Sequence, residues 1–495
     1  MIFIAMPPVG GRNMPDITAD SGGHAAQGMT EVTGRRANLR VIGGFGGVAC
    51  LAATIIAAVI LIKTPTASAL PSYARQTGQP CATCHTAFPQ LTPFGRRFKL
   101  GGYTMGGGMT FEQAPPIAAM VIGSFSHTQD NQDAPPAPWA HTNNNFLLQQ
   151  ASIFLAGQLY GNVGSFIQGT YDGATQHMFL DASDVRYVDS TKLFGFDITY
   201  GVDVNNAPTV EDVWNTTAAW GFPFVASTLA PQVSLPGTLI EGGLGTHVVG
   251  TGVYTFTNDM FYLNFTAYQN LSLQALQTLG EPEVIGSTSI DGVAPYWRAA
   301  VEFDMGDHSL EFGTFGMIAN TLPGRVAGFG FDQITDVAVD AQYQWLGDPH
   351  SITARVTDVH ESQKLNSTFL QGGSANLYNN LNSFKASIEY VYDHTYELSV
   401  GYFNVSGSPD AVLYTPAGAN PLLGVPDGEG IIATASFLPF SKGGPSFYPW
   451  VNAKLGISYT SYLKVYGGVN NFDALNVNHN AAGNNTLLLY AWVAF

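Results

Sequence analysis

The clearest β-strand pattern in this chain is Asp336-Val337-Ala338-Val339-Asp340-Ala341-Gln342-Tyr343-Gln344-Trp345. Even positions carry polar or small side chains, whereas odd positions carry apolar and aromatic ones. A period of two indicates a strand with one polar and one apolar face. The same alternation recurs at 297–304 and 383–390, with Arg298, Glu302 and Glu389 on the polar face.

Short turns alternate along the chain with much longer connections, as in an outer-membrane barrel. The turns are Gly161-Asn162, Ser190-Thr191-Lys192, Thr257-Asn258-Asp259, Gly306-Asp307, Gly347-Asp348, Asp393-His394-Thr395 and Tyr459-Thr460-Ser461. The long connections are 206–245, 271–292, 361–380, 406–446 and 472–484. A soluble β-sandwich also alternates, but with its apolar residues inward. The loop pattern therefore predicts an all-β fold, a transmembrane antiparallel β-barrel over residues 117–495.

The strand count follows from pairing strands across these turns. A first strand near 118–126 and a last one at 486–495, ending on Phe495, bring the total to about sixteen strands. This count leaves Ile431 to Leu438 inside a surface loop, although that stretch could also be a strand. An even count places both chain ends on the periplasmic side.

Residues 1–69 are interpreted as an N-terminal extension and signal peptide. Arg35, Arg36 and Arg40 precede an apolar run over 41–62, and Ala67-Ser68-Ala69 follows it as a cleavage site. The run is also long enough for an uncleaved inner-membrane helix. The formal net charge is −17, which argues against nucleic acid as a partner and favours cationic partners.

The motif Cys81-Ala82-Thr83-Cys84-His85 is the attachment pattern of a c-type haem. Each thiol adds across one vinyl group of the porphyrin, and the adjacent histidine becomes the proximal ligand of the iron. The alternatives are a redox dithiol or a disulfide between Cys81 and Cys84, neither of which requires His85. The sequence thus predicts one covalent haem c, held by Cys81, Cys84 and His85.

The haem segment, residues 70–116, is too short to bury a haem and a core of its own. A sixteen-stranded barrel has room in its lumen, so we expect the segment to lodge in the pore from the periplasmic side. Phe88, Phe94 and Phe98 could pack on the porphyrin. Arg96 and Arg97 are the predicted partners of the propionates, with Lys99 as a further cation.

The sixth iron ligand is open at the level of sequence. Met105 is taken as the metal ligand opposite His85, with Met109 as its equal in the same glycine-rich stretch. Three further residues remain candidates, namely Met120, His127 and His141. A thioether ligand would raise the reduction potential of the haem.

Four stretches resemble the fused outer-membrane cytochrome-porin of iron-oxidising bacteria, and they lie at 70–78, 81–85, 89–103 and 205–215. The resemblance extends over essentially the mature chain, and the haem region is its specific part. It implies an oxidoreductase of the outer membrane of a Gram-negative bacterium. Such a protein takes electrons from extracellular Fe(II) and passes them to a periplasmic c-type cytochrome or blue-copper protein.

Two other functions compete with electron transfer. The first is a diffusion porin in which the haem segment plugs or gates the channel. The second is a haem enzyme acting on peroxide, but the segment lacks an evident distal His-Arg pair. No cluster of residues stands out as an Fe(II) site.

Overall fold

The computed structural model describes residues 70–231, 233–281, 287–414, 423–444, 450–470 and 479–495. Within them, one antiparallel 17-stranded sheet contains sixteen long strands and the two-residue β8. The strands are β1 (Ile117–Thr128), β2 (Asn145–Tyr160), β3 (Val163–Asp172), β4 (His177–Leu193), β5 (Phe196–Asn205), β6 (Val248–Thr257), β7 (Phe261–Asn270), β8 (Ser289–Ile290), β9 (Val293–Asp304), β10 (His308–Leu322), β11 (Asp332–Leu346), β12 (His350–Lys364), β13 (Tyr378–Tyr392), β14 (Tyr396–Gly407), β15 (Gly428–Phe437), β16 (Asn452–Lys464) and β17 (Thr486–Ala494).

The sheet closes on itself, because β1 pairs with both β2 and β17. At the closure, Met120 lies opposite Ala494 on one side and Ser152 on the other. The long strands follow one another around the wall in chain order. A closed sheet leaves no unpaired edge, which is what a lipid-facing sheet requires. The predicted all-β barrel of about sixteen strands is thereby confirmed.

Strand parity places the polar face inside and the apolar face outside. In β11, Asp336 and Gln344 are fully buried, whereas Val337 and Val339 are 47% and 58% exposed on the outer surface. The same outward apolar side chains occur around the wall, for example Ile153, Leu263, Phe265, Ile388 and Leu398. This orientation is the reverse of a soluble β-sandwich and matches a transmembrane barrel.

Most predicted turns are correct. Two local assignments are wrong, but one omits a strand and the other divides a strand in two, so the total number of long strands is unchanged. Ile431 to Leu438, expected in a loop, forms most of β15, and Tyr459-Thr460-Ser461, expected as a turn, lies inside β16. These two stretches pair with each other, with Ile431 opposite Ser461. Pairing strands across the expected turn at 459–461 left no place for β15 in a count of sixteen. The turn expected at 190–192 falls slightly later, at Phe194-Gly195.

Three short helices lie ahead of the barrel strands: α1 (Pro71–Thr77), α2 (Cys81–Cys84) and α3 (Pro93–Leu100). Two more occur in connections, α4 (Leu273–Thr278) and α5 (Asn366–Leu370). Among the described residues, no helix is both long and apolar enough to cross a membrane. The predicted signal region, residues 1–69, lies outside the described residues.

Residues 70–105 occupy the lumen, where we call them the plug. Their side chains bond to inward-facing residues of widely separated strands: Tyr103 to Asp184 of β4, Arg96 to Glu302 of β9 and Thr86 to Glu389 of β13. From β16, Lys454 Nζ donates to the Phe88 carbonyl at 3.0 Å. The plug therefore contacts the wall on several sides, because its own core is too small to stand alone.

Candidate haem-binding site

The motif Cys81 to His85 forms a single helical turn, which we call the Cys-His turn. α2 begins after Pro80, and the His85 backbone N–H closes the turn by donating to the Cys81 carbonyl at 2.9 Å. The returning chain clamps this turn, because Thr92 Oγ1 donates to the Thr83 carbonyl at 2.6 Å and Thr92 N donates to that of Cys84 at 2.9 Å. Both cysteines and the histidine are thus held on one rigid unit.

The ring of His85 is oriented by a backbone carbonyl. Nδ1 lies 3.2 Å from the Gln90 oxygen, and a carbonyl only accepts, so Nδ1 carries the proton. Burial lowers the pKa of His85 to about 4, so the ring is neutral. Nε2 therefore keeps its lone pair, in the arrangement by which metal-binding histidines are usually oriented.

The two cysteines are not joined by a disulfide. Asn452 of β16 donates to Cys81 Sγ at 3.2 Å. Burial, reinforced by the neighbouring Cys81, raises the pKa of Cys84 to about 12, so Cys84 is a protonated thiol. A separated pair of thiols fits the addition of each sulfur to a vinyl group better than it fits a structural crosslink.

A largely apolar cavity opens beside this turn. Plug residues on its wall include Cys81, Cys84 and His85, and barrel residues include Met120, Phe154, Phe166 and Trp492. Trp220 contributes from the long connection between β5 and β6. An apolar cavity bordered by two thiols and an imidazole fits a covalently attached porphyrin.

Aromatic rings make up much of the cavity wall. Tyr73 stacks on Tyr103 with a centroid separation of 5.4 Å and meets Phe98 edge-on at 4.9 Å. Phe88 contacts Trp492 edge-on at 5.2 Å. Of the three phenylalanines predicted to pack on a porphyrin, Phe88 and Phe98 line the cavity and Phe94 does not.

Arg96 and Arg97, the predicted propionate partners, do not line the cavity and have other partners. Arg96 is 1% exposed and binds Glu302 at 2.6 Å, Gln344 at 2.6 Å and Ser309 at 2.7 Å. Arg97 is partly exposed and binds Asp304 at 2.8 Å. The structure thus places both guanidinium groups on barrel carboxylates rather than on the cavity wall.

Lys99 is the cation on the described part of the cavity wall. Its Nζ donates to the backbone carbonyls of Val210 at 2.6 Å and Asp212 at 2.8 Å, and it lies 4.4 Å from the Trp220 ring centroid. Burial lowers the pKa of Lys99 to about 7. Lys99 is therefore better placed to pair with a propionate than either arginine, because it lines the cavity.

The five sequence candidates for the sixth ligand are separated by the structure. Met105 is 38% exposed and does not line the cavity. Met109, His127 and His141 also lie outside the cavity wall. Met120 is 2% exposed and lines the cavity. Met105 was favoured because it is close in sequence, whereas Met120 reaches the site through strand parity.

The motif lies at the end of the barrel that carries the short turns. His394, in the turn between β13 and β14, has its Nδ1 3.1 Å from the Thr86 carbonyl oxygen. The Ala82 N–H donates to the Ser441 carbonyl in the β15–β16 connection at 3.1 Å. β1 begins and β17 ends at this same end.

Two cavity residues could not have been assigned from sequence. Trp220 belongs to the long 206–247 connection, which enters the lumen and buries Trp214 completely. Trp492 lies on β17, and the one indication in the sequence that it faces the lumen was its position in the alternation of that strand. Among the described residues, no group of three or more His, Cys, Asp or Glu is placed to hold a metal ion.

No protein-family model matches the chain, and no curated protein sequence matches it. Solved structures with a similar fold include the outer membrane channel DcaP of Acinetobacter baumannii, with 14% identity, a TM-score of 0.41, and coverage of 77% of this chain and 96% of that one. OmpT of Vibrio cholerae is similar with 12% identity, a TM-score of 0.39, and coverage of 77% and 96%. The anion-selective porin from Comamonas acidovorans has 10% identity, a TM-score of 0.39, and coverage of 76% and 98%. At these levels the chain is similar to porins in its barrel alone.

Proposed function

We propose that this chain is an outer-membrane monohaem c-type cytochrome that oxidises extracellular Fe(II) and passes single electrons to a periplasmic carrier. The observation that carries the proposal is the apolar cavity beside Cys81, Cys84 and His85. Bound there, a haem would supply one-electron chemistry. Cys81 and Cys84 would hold it covalently, and His85 would bind its iron through Nε2.

The lipid surroundings follow from the outer face of the barrel. Apolar side chains cover the outside of the wall, and both described ends of the barrel lie at the short-turn end, which is periplasmic in outer-membrane barrels. The cavity would then lie at the periplasmic end of the lumen. The remaining lumen toward the long loops is occupied by the 206–247 connection, including the buried Val210 and Trp214.

The periplasmic carrier would dock near the Cys-His turn. Asp259, Asp307, Asp348 and Asp393 lie in the short turns of this end. Asp259 and Asp393 pair with Arg97 and Lys442, which leaves Asp307 and Asp348 to favour a carrier with a cationic surface. A c-type cytochrome or a blue-copper protein of this charge would meet the requirement. Electron balance is simple, because each Fe(II) that becomes Fe(III) releases the one electron that the carrier accepts.

The proposal is tested by haem content and by reduction with Fe(II). Purified protein from a host that matures c-type cytochromes should give a pyridine haemochrome spectrum, and stopped-flow mixing with Fe(II) should reduce the haem. The variant Cys81→Ala/Cys84→Ala should lose covalent haem, whereas Thr83→Ala, inside the same motif, should keep it. A haem-free wild-type protein, or attached haem that Fe(II) never reduces, would contradict the proposal.

A second candidate function is a diffusion porin whose channel the plug closes or gates, which the porin-like barrel favours. Liposome swelling distinguishes the two. Solute entry through the haem-loaded protein would favour the porin, whereas an impermeable protein that still reacts with Fe(II) would favour electron transfer.

A further inference from the structure

We infer that the thioether of Met120, together with His85, would bind the iron of a haem attached at Cys81 and Cys84. The inference rests on the proposed function, since it requires a haem attached at Cys81 and Cys84. It assigns an iron ligand to the barrel wall, whereas the proximal ligand belongs to the plug. The iron would then link the plug to the barrel wall.

Met120 reaches the cavity because of its register on β1. The strand alternates strictly, so Ala118, Met120 and Ile122 face inward and are at most 3% exposed. Met120 lines the same cavity as His85, and Ala494, its partner across the β1–β17 closure, lines it as well. Among the described residues on that wall, Met120 is the one methionine and His85 the one histidine.

Four other polar side chains on the wall are held in place by hydrogen bonds or an ion pair. The hydroxyl of Tyr73 donates to the Ser165 carbonyl at 3.0 Å, and that of Tyr103 donates to Asp184 at 2.6 Å. Lys99 Nζ donates to two carbonyls. Asp212 accepts from backbone N–H groups and lies 3.2 Å from Arg298. The Met120 sulfur needs no hydrogen bond, so binding iron would break none.

The competing candidates are held elsewhere. Met109 is tied by its backbone N–H to the Arg75 carbonyl at 2.6 Å, outside the cavity. His127 faces the other side of β1, and its Nδ1 lies 2.9 Å from Asn144 Oδ1. Either residue would have to break these contacts and move to reach the cavity, whereas Met120 already faces it.

Thioether ligation has a consequence for the reaction. A His/Met pair raises the reduction potential of a haem relative to other axial pairs. A methionine ligand would therefore favour the direction of electron flow that the proposed function requires.

The test is spectroscopic and needs no turnover. Ferric wild-type protein should show the weak far-red absorption band of thioether-ligated haem. Met120→Leu, which conserves volume, should lose this band and bind added imidazole, and Met120→His should lower the reduction potential. The controls Met105→Leu and Met109→Leu should keep both the band and the potential. Heat-modifiable migration on gels shows that each barrel has folded.

The outcomes separate the inference from the proposed function. Covalent haem without the band in the wild type, or a band that survives in Met120→Leu, would overturn the assignment of Met120 while leaving the cytochrome intact. Loss of the band in Met105→Leu would overturn it in favour of that residue. Absence of covalent haem would overturn the proposed function and the inference together.

Discussion

Arg96 is the plug residue that makes the most hydrogen bonds to the barrel wall. Its guanidinium group is fully buried and binds Glu302 of β9 and Gln344 of β11, while Glu302 also accepts from Trp214 Nε1 at 2.7 Å. Arg97, the next residue, forms its ion pair in a partly exposed position. The adjacent arginines thus offer a matched comparison between a buried and an exposed pair.

Replacing Arg96 by methionine should destabilise the plug strongly, because Glu302 would remain buried without its counter-charge. Breaking a buried pair costs about 3–5 kcal/mol, whereas loss of the exposed Arg97 pair costs about 0–1 kcal/mol. The measurement is the rate of proteolysis within residues 70–116 of the folded barrel. Arg96→Met should be cleaved much faster than Arg97→Met, and the double variant Arg96→Met/Glu302→Gln should recover part of the loss. Equal cleavage of the two single variants would refute the role of burial.

Glu211 is a second residue whose burial has a measurable effect. It lies on the 206–247 connection, is fully buried, and faces Asp203 from β5, Arg186 from β4 and Tyr296 from β9. Burial, with Asp203 adding to it and Arg186 opposing it, raises the pKa of Glu211 to about 8.

This raised pKa predicts that Glu211 destabilises the protein at alkaline pH. Its ionised form is fully penalised above pH 8, and the penalty disappears as the pH falls toward 4.5, the usual value. Glu211→Gln should therefore be more stable than the wild type above pH 8, by a few kcal/mol at about 1.4 kcal/mol per pKa unit, and equal to it at acidic pH. Thermal unfolding in detergent across this range measures the difference. The exposed control Asp291→Asn should show no such pH-dependent gain, and a constant difference for Glu211→Gln would contradict the prediction.

Among the elements, α3 packs so closely against the Cys-His turn that no side chain fits between their backbones at Gly95. Thr92 caps the helix by accepting from the Gly95 N–H at 3.2 Å, and Pro93 follows at a position that favours helix initiation. A Cβ on Gly95 would lie 2.3 Å from the Cys84 carbonyl oxygen. The plug meets the wall equally closely, since a Cβ on Gly164 of β3 would lie 2.1 Å from the Gly102 oxygen.

Gly95→Ala should displace α3 from the motif and reduce haem attachment, because no rotamer relieves a clash with backbone. Gly106→Ala is the matched control, since a Cβ there meets nothing within 4 Å. Haem per barrel, measured as pyridine haemochrome against protein, should fall several-fold in Gly95→Ala and remain unchanged in Gly106→Ala. Full haem loading of Gly95→Ala would show that the close approach is not required.

For the whole molecule, the lumen is filled from both ends. The plug occupies the short-turn end, and the 206–247 connection enters from the long-loop end and meets it where Lys99 binds the carbonyls of Val210 and Asp212. Lys454 of β16 binds both Glu397 at 2.6 Å and the Phe88 carbonyl at 3.0 Å, and so links the plug to the barrel wall. Interlocked elements of this kind favour a sealed lumen.

A sealed lumen predicts low conductance in planar bilayers. Arg96→Met/Lys454→Met removes two buried anchors of the plug and should raise the conductance above that of the wild type. Arg97→Met/Lys442→Met, which removes two partly exposed ion pairs, should not. High conductance of the wild type would favour the diffusion porin instead.

Sequence alone was sufficient to predict the barrel, and it located the Cys81–His85 motif. Strand parity is a local property, so the alternation in 336–345 could be recognised without knowledge of neighbouring strands, and Cys81 to His85 form one continuous stretch. The failure was also local in cause: the 459–461 stretch of β16 is polar enough to resemble a turn, and a count of sixteen then left no place for β15.

Tertiary structure alone decided which residues surround the cavity. Met120, Trp220 and Trp492 are far apart in sequence and meet through the closure of β1 on β17 and the entry of a long loop into the lumen. Proximity in sequence had favoured Met105, Arg96 and Arg97, but the first lies outside the cavity and the other two bind barrel carboxylates. The physical reason is that a plug of this size borrows its walls and counter-charges from the barrel, and such contacts leave no pattern in the segment itself.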